Sequence, residues 1–257
     1  GAPYNDLRRK LVGKAASAEL RPGELPGFGG SIRLALAQRV GVEGEYDAMG
    51  GGEPTRADFA EAAPRGDTCH LDVIDRHGNM VSATPSGGWL QSSPAIPGLG
   101  FCLGSRAQMF WLDPESPSAL GPGRRPRTTL TPSFALREGR PYMAFGTPGG
   151  DQQDQWSLTF FLRHVHHGMN LQQAIDAPMF HTDHMPSSFW PRNRAPASLA
   201  VEDRFDKKAI GALRRRGHDV TVADGWSLGR LSAATREGGL LKAAANPRGM
   251  QGYAMGR

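Results

Sequence analysis

Thr68 stands first among the residues whose type and placement suggest covalent chemistry. It lies in the run Arg65-Gly66-Asp67-Thr68-Cys69-His70-Leu71-Asp72-Val73, at the head of a β-like stretch and just after a glycine-containing, charged loop. An aliphatic hydroxyl is a poor nucleophile unless a base lies beside it. One solution makes the threonine a chain terminus, so that its own α-amine is the base. An α-amine titrates at about 7.7–8, close to working pH, and can therefore take and return a proton. Such a terminus would require the Asp67–Thr68 bond to be cleaved. His70 would share the face of Thr68 on a strand, where it can orient local hydrogen bonds.

A second candidate is the pair Gly149-Gly150, which follows an apolar strand-like run and precedes a helix-like one. Glycine lets a carbonyl come close, and free N–H groups at a helix N-terminus favour developing negative charge. That combination suits an oxyanion hole, although spacing alone favours an ordinary strand-to-helix turn. The histidines support metal or triad chemistry poorly. His164 and His167 lack an obvious third ligand, and a zinc site ordinarily wants three or four. The His181-Thr182-Asp183-His184 cluster is denser but carries no motif, and no metal is expected. Cys69 and Cys102 show no pairing or metal signature. Strand alternation turns Cys69 away from the side of Thr68, as a buried structural thiol.

These residues need elements to position them. Residues 3–15 suit a helix, with Leu7 and Leu11 on one side and Arg8, Arg9, Lys10 and Lys14 on the other. Residues 22–67 are rich in Gly, Pro, Glu and Ala and read as a long loop or linker. Residues 70–75 and 79–84 read as a hairpin about Arg76-His77-Gly78. A second pair of strands spans 133–136 and 142–145, with Glu138-Gly139-Arg140 as the turn. Helices follow at 152–167, at 171–177 (stopped before Pro178) and at 206–216, the last with Asp206 at its start and Gly217 at its stop. Strands near 219–222 and 229–236 complete an α+β pattern.

Composition bounds the function without naming it. The chain has 257 residues, 39% of them hydrophobic, with a formal charge of +5 and a pI near 9.6. Its cations are scattered, the Arg214-Arg215-Arg216 run reads as a solvated helix face, and no nucleic-acid motif is present. No apolar run approaches the roughly 20 residues that a membrane-spanning helix needs. No signal peptide is visible, so localisation stays undecided between cytoplasm and periplasm.

The motifs, taken in order, resemble the γ-glutamyltransferase (γ-glutamyltranspeptidase) family of N-terminal-nucleophile hydrolases, and its divergent transferase-like, acylase branch in particular. The run Thr68-Cys69-His70 with Val73-Ile74-Asp75-Arg76-His77-Gly78-Asn79 is similar to the start of that family's small subunit. Further matches are Pro122-Gly123-Arg124-Arg125-Pro126, Thr128-Thr129-Leu130-Thr131-Pro132, Gly146-Thr147-Pro148-Gly149-Gly150 and Ala245-Asn246-Pro247-Arg248. Upstream, Ser17-Ala18-Glu19-Leu20-Arg21-Pro22-Gly23 resembles the segment that closes the large subunit.

The resemblance implies a four-layer αββα sandwich with Thr68 opening a central strand. Residues 1–67 would be the end of the large subunit plus the pre-cleavage linker, and residues 68–257 the small, catalytic subunit. It implies Thr68 as nucleophile and α-amine base, Gly149 and Gly150 as oxyanion hole, and Thr84 and Ser86 as supporting hydroxyls. Thr128-Thr129 takes the place of a Ser-Ser pair that holds a substrate carboxylate. Two positions depart from the family. Gly88 and Met109 stand where an Asn and an Asp grip the substrate's α-amine, and neither supplies charge. Trp89, Phe110 and Trp111 instead suggest a more apolar recess, and they suit a core equally well.

Together these readings give a self-processing amidohydrolase or acyltransferase acting on a γ-glutamyl-like or other small acyl amide through an acyl-enzyme. The alternatives are a non-hydrolytic bond-cleaving enzyme of specialised metabolism, and an inactive relative that only binds. No cofactor is implied. The expected partners are the remaining large-subunit segment of the same precursor and a small-molecule amide; a homodimer of heterodimers is left open.

Overall fold

The computed structural model describes residues 1–21, 23, 68–88, 93–114, 116–189, 192–248 and 252–256. Asp67, Trp89 and nearly all of the expected 22–67 linker lie outside these residues. Helix α1 (Ala2–Arg9) is followed by strands β1 (Leu71–Ile74), β2 (Met80–Ala83), β3 (Ser133–Arg137) and β4 (Arg140–Gly146). Helices α2 (Gln153–Val165) and α3 (Leu171–Asp176) come next, then β5 (Phe180–His181) and β6 (Ser198–Glu202). Helix α4 (Lys207–Arg215) and strands β7 (Asp219–Ala223), β8 (Ser232–Glu237) and β9 (Leu240–Ala245) complete the order.

Strands β1 and β2 form an antiparallel hairpin in the register Leu71↔Ala83, Asp72↔Ser82, Val73↔Val81 and Ile74↔Met80. Its turn is held by Asp75, whose carboxylate accepts from the His77 and Asn79 amides at 2.8 Å and from Asn79 Nδ2 at 2.7 Å. The Asn79 side-chain bond leads the contacts that keep the Asp75 carboxyl below its ordinary range. Gly78, at φ 90°, supplies the left-handed residue that closes the turn.

The largest sheet is antiparallel throughout, in the order β3-β4-β8-β9. Its two faces are occupied differently. Phe145 of β4 packs on Phe160 and Phe161 of α2, with ring centroids 5.6 and 5.7 Å apart. The next residue, Gly146, points the other way, against His70 at the head of the β1 hairpin. A helical layer, the sheet and the hairpin are therefore stacked in that order. The core lies in the first of these interfaces, where Met143, Trp156, Phe160, Ala174, Ile175 and Met179 are almost wholly buried. A smaller sheet, β5-β6-β7, carries the parallel pair β6–β7 joined through α4. Buried Ile210 of α4 packs with Val201 and Val220 of those strands.

Glu202, at the end of β6, is fully buried and ties the second half of the chain together. It accepts from Arg248 Nε at 3.1 Å, Arg204 Nη2 at 2.6 Å, and the Met179 and Leu228 amides at 3.1 Å. Burial alone raises its pKa, but the hydrogen bonds from Arg248 and Arg204 outweigh it and hold the carboxyl below its ordinary value. The Asn246-Pro247-Arg248 motif thus serves an internal ion pair.

Most expected elements form, and the departures have physical causes. Helix α1 ends at Arg9 instead of residue 15 because it buries no residue, so packing does not extend it. Strands β5, β6 and β9 were not expected. The β9 segment LLKAAA lacks strand alternation and becomes a strand through pairing with β8 from Ser232↔Ala245 to Glu237↔Leu240. Cys69 is exposed, which corrects the expectation of a buried thiol. Alternation does turn it away from the inner face, but Leu71, Val73 and Val81 on the hairpin's outer side are themselves 46–52% exposed.

Candidate active site

The β1–β2 register runs past the strand ends. Cys69 N donates to Pro85 O at 3.2 Å, which sets Thr68 opposite Ser86 and His70 opposite Thr84. The side chains meet accordingly. Thr68 Oγ1 lies 2.7 Å from Ser86 Oγ, and His70 Nδ1 lies 2.7 Å from Thr84 Oγ1. Thr84 is buried, and the His70 imidazole is 1% exposed. A second hydroxyl so close to Thr68 supplies a hydrogen-bond partner that keeps its oxygen in one orientation.

Gly149 and Gly150 follow Gly146 of β4, which lies against His70. A Cβ on Gly146 would stand 2.4 Å from His70 Cε1, so the imidazole lies directly on the β4 backbone. Three residues later the chain turns through Gly149 at φ 136° and Gly150 at φ 56°. A side chain at Gly149 would also collide with Trp156, 2.3 Å from its Cζ3. Both glycines take positive φ at the entry to the 3-10 turn Gly150–Gln152 that leads into α2.

The segment that carries Thr128 and Thr129 is tied to the start of α2. The Thr131 amide donates to Gln153 Oε1 at 3.2 Å, and Gln153 is the first residue of α2. Thr128 is exposed and its hydroxyl accepts from the Leu130 amide at 3.1 Å; Thr129 is buried. Gly88 is exposed, with open space where a Cβ would be. Met109, expected among the residues lining the substrate pocket, is wholly buried in a 3-10 turn (Ser105–Met109).

Several residues of this region escaped the sequence reading. Arg192 is buried and stacks over Trp111; it donates to Gln108 O at 3.2 Å and to Phe110 O at 2.9 Å, which fixes the segment around Met109. Burial and the nearby Arg127 lower its pKa against the opposing pull of Asp151. Asp151, next to Gly150, accepts from the Ser188 amide at 2.7 Å, and Ser188 also accepts from Arg127. The carboxylate of Asp72 receives His70, Ser82 and Ser232. Asp72 alone carried a usable signal, since period-two alternation puts it on the face of Thr68 and His70.

Of the histidines considered for metal, His164 serves internal contacts. His164 Nε2 meets Tyr142 Oη and its Nδ1 meets Met169 O, both at 2.8 Å. Among the described residues, no three His, Cys, Asp or Glu side chains gather as a metal-binding group. Among the same residues, no helix is long and apolar enough to cross a membrane.

The sequence profile of the gamma-glutamyltranspeptidase family matches residues 39–256. The chain belongs to this family. Among relatives within it, oxamate amidohydrolase proenzyme of Klebsiella pneumoniae is 36% identical over 188 residues, covering 71% of this chain and 34% of its own length. Acylase ACY 1 proenzyme of Pseudomonas sp. strain SE83 is 31% identical over 180 residues, covering 70% and 30%. The chain thus spans about a third of the curated relatives it matches. The solved structure of LmbA2991HD superposes with a TM-score of 0.80 at 53% identity, over 100% of this chain and 43% of that one. Cephalosporin acylase from Bacillus halodurans follows at a TM-score of 0.68 and 26% identity, over 96% and 37%. The α+β arrangement of this family member is therefore shared with a solved acylase.

Proposed function

We propose that this chain is the catalytic part of a self-processing amidohydrolase or acyltransferase, with Thr68 as nucleophile. The observation that carries the proposal is the 2.7 Å contact between Thr68 Oγ1 and Ser86 Oγ at the head of the β1 strand. It is supported by relatives that are themselves proenzymes. In maturation the Thr68 hydroxyl adds to the Asp67 carbonyl, and the peptide C–N bond breaks as the acyl group moves to oxygen. Water then hydrolyses the ester, releasing the Asp67 carboxylate and leaving Thr68 with a free α-amine. In turnover that amine takes the Thr68 proton as the hydroxyl attacks a substrate amide, while Gly149 and Gly150 N–H groups hold the oxyanion. The amine returns the proton to the leaving nitrogen, and water or an acceptor amine removes the acyl group.

Residues 1–67 would then close the large subunit and lead to the cleavage point, and residues 68–257 would form the small subunit. The stacked helical layer, sheet and hairpin correspond to part of a four-layer αββα sandwich, the rest coming from a preceding segment of the same precursor. The substrate is a γ-glutamyl-like or other small acyl amide, and open Gly88 and buried Met109 supply no charged side chain to grip an α-ammonium group, which disfavours recognition through an α-amine. Thr128 and Thr129 supply hydroxyls for a carboxylate or carbonyl. The test is intact mass and N-terminal sequencing of the full-length polypeptide. A fragment beginning Thr68-Cys69-His70, lost in Thr68→Ala, supports the proposal; a polypeptide that stays whole and folded overturns it. Product analysis on a panel of acyl amides separates amide hydrolysis from cleavage of another bond.

A further inference from the structure

The inner face of the β1–β2 hairpin carries three polar cross-strand pairs in succession. Thr68 pairs with Ser86 and His70 with Thr84 at 2.7 Å, and Asp72 pairs with Ser82 at 2.8 Å. The second and third pairs are joined along the strand by His70 Nε2 and Asp72 Oδ2, 3.0 Å apart. Ser232 of β8 adds a further bond to Asp72 Oδ2 at 2.8 Å. The two joined side chains are 1% and 2% exposed. Chemistry at Thr68 as described above makes no use of this buried carboxylate, which is nonetheless contacted by His70 just before β1, Ser82 of β2 and Ser232 of β8.

We propose that Asp72 is a positioning residue for Thr68, acting through His70 and Thr84; this rests on the reading of Thr68 as the nucleophile. A carboxylate has only acceptors, so the His70 nitrogen that faces it must carry the hydrogen. In the neutral ring Nδ1 is then the acceptor, and Thr84 must donate to it. With its hydrogen committed, the Thr84 oxygen offers lone pairs alone toward the first pair. The second and third pairs are therefore polarised, their hydrogens from Thr84, His70 and Ser82 all directed toward Asp72. The opposite tautomer would set the Nε2 lone pair against the carboxylate and is excluded electrostatically. Gly146 holds the ring flat, since its missing Cβ is the space the ring occupies. Thr84 lies two positions from Ser86 on the same face of the hairpin, so its oxygen is a fixed acceptor on the side of Thr68, suited to a hydroxyl hydrogen before cleavage and to an α-ammonium group after it. Asp72→Asn preserves the shape and removes the charge that chooses between the two senses.

Two measurements on the full-length polypeptide test this. The first is the nitrogen-15 spectrum of the His70 imidazole in the Thr68→Ala background, which reads the tautomer without any activity. The Nε2–H form is expected there, with Nδ1–H becoming populated when Asp72→Asn is added; Nδ1–H in the Asp72 parent overturns the proposal. The second is the first-order rate of self-cleavage before Thr68. Asp72→Asn is expected to slow it by on the order of 10²-fold or more while melting as the parent does. A folded Asp72→Asn that cleaves within about threefold of the parent rate overturns the proposal. Should Asp72→Asn fail to fold, Ser82→Ala with Ser232→Ala decides, because it leaves the carboxylate but frees it to move. That pair is expected to lower the rate about tenfold, and an unchanged rate rejects the positioning role. A parent that never cleaves, with the Nε2–H tautomer present, overturns the reading of Thr68 instead and removes the role assigned to Asp72 with it.

Discussion

Thr68 Oγ1 and Ser86 Oγ sit 2.7 Å apart because the hairpin register that pairs Leu71 with Ala83 continues unbroken to the strand ends. Contact at this position is set by the backbone, and the side chains inherit it. A reactive hydroxyl positioned by register loses little conformational freedom when it reaches its partner.

Thr68→Ala should therefore abolish cleavage before residue 68 while leaving the fold intact, since the change removes a half-buried hydroxyl at a strand end. Ser86→Ala should retain cleavage at a rate lowered about tenfold, the usual worth of one hydrogen bond in a positioned site. Gel analysis of full-length polypeptide over a time course checks both.

Gly149→Ala should fail on two grounds. Its φ of 136° is outside the range of residues with a side chain, and the new Cβ would stand 2.3 Å from the Trp156 ring. The glycine turn would reorient its N–H groups, and turnover of any substrate found should fall by on the order of 10²–10³-fold, as for a lost oxyanion donor. Circular dichroism separates this from global unfolding.

Gly146→Ala tests the link between the hairpin and the glycine turn. A methyl group there enters the space of the His70 ring and must push it off Thr84 or Asp72. The expected result is slowed self-cleavage with a smaller loss of stability, roughly 1–3 kcal/mol for an overpacked site. Denaturant melts and the cleavage time course, measured on the same variant, give the comparison.

Glu202 sets an acid limit on stability. Its folded pKa is depressed by Arg248 and Arg204, so its contribution is present above the ordinary value of 4.5 and is lost as pH falls through the folded value. Glu202→Gln should flatten that acid-side loss and lower stability at neutral pH by about 3–5 kcal/mol, because Arg248 stays buried without its charge partner. Urea melts between neutral and acid pH check both parts.

The sequence by itself determined the features that depend on neighbours along the chain. The turn from Asp75 to Asn79, the Asp206 cap and the Gly217 stop follow from local hydrogen bonds and glycine's freedom at positive φ. Strand alternation likewise put Thr68, His70 and Asp72 on one face, opposite Cys69. The motifs from Thr68 to Arg248 carried the family. Tertiary structure decided what depends on distant partners. LLKAAA became strand β9 because β8 offered a continuous ladder, and Ser232 reached Asp72 across 160 positions of sequence. Met109 became core, and Arg192 came to brace the turn beside it. Such contacts have no period or spacing in the sequence, because the groups that satisfy a buried charge or an open strand edge are chosen by packing.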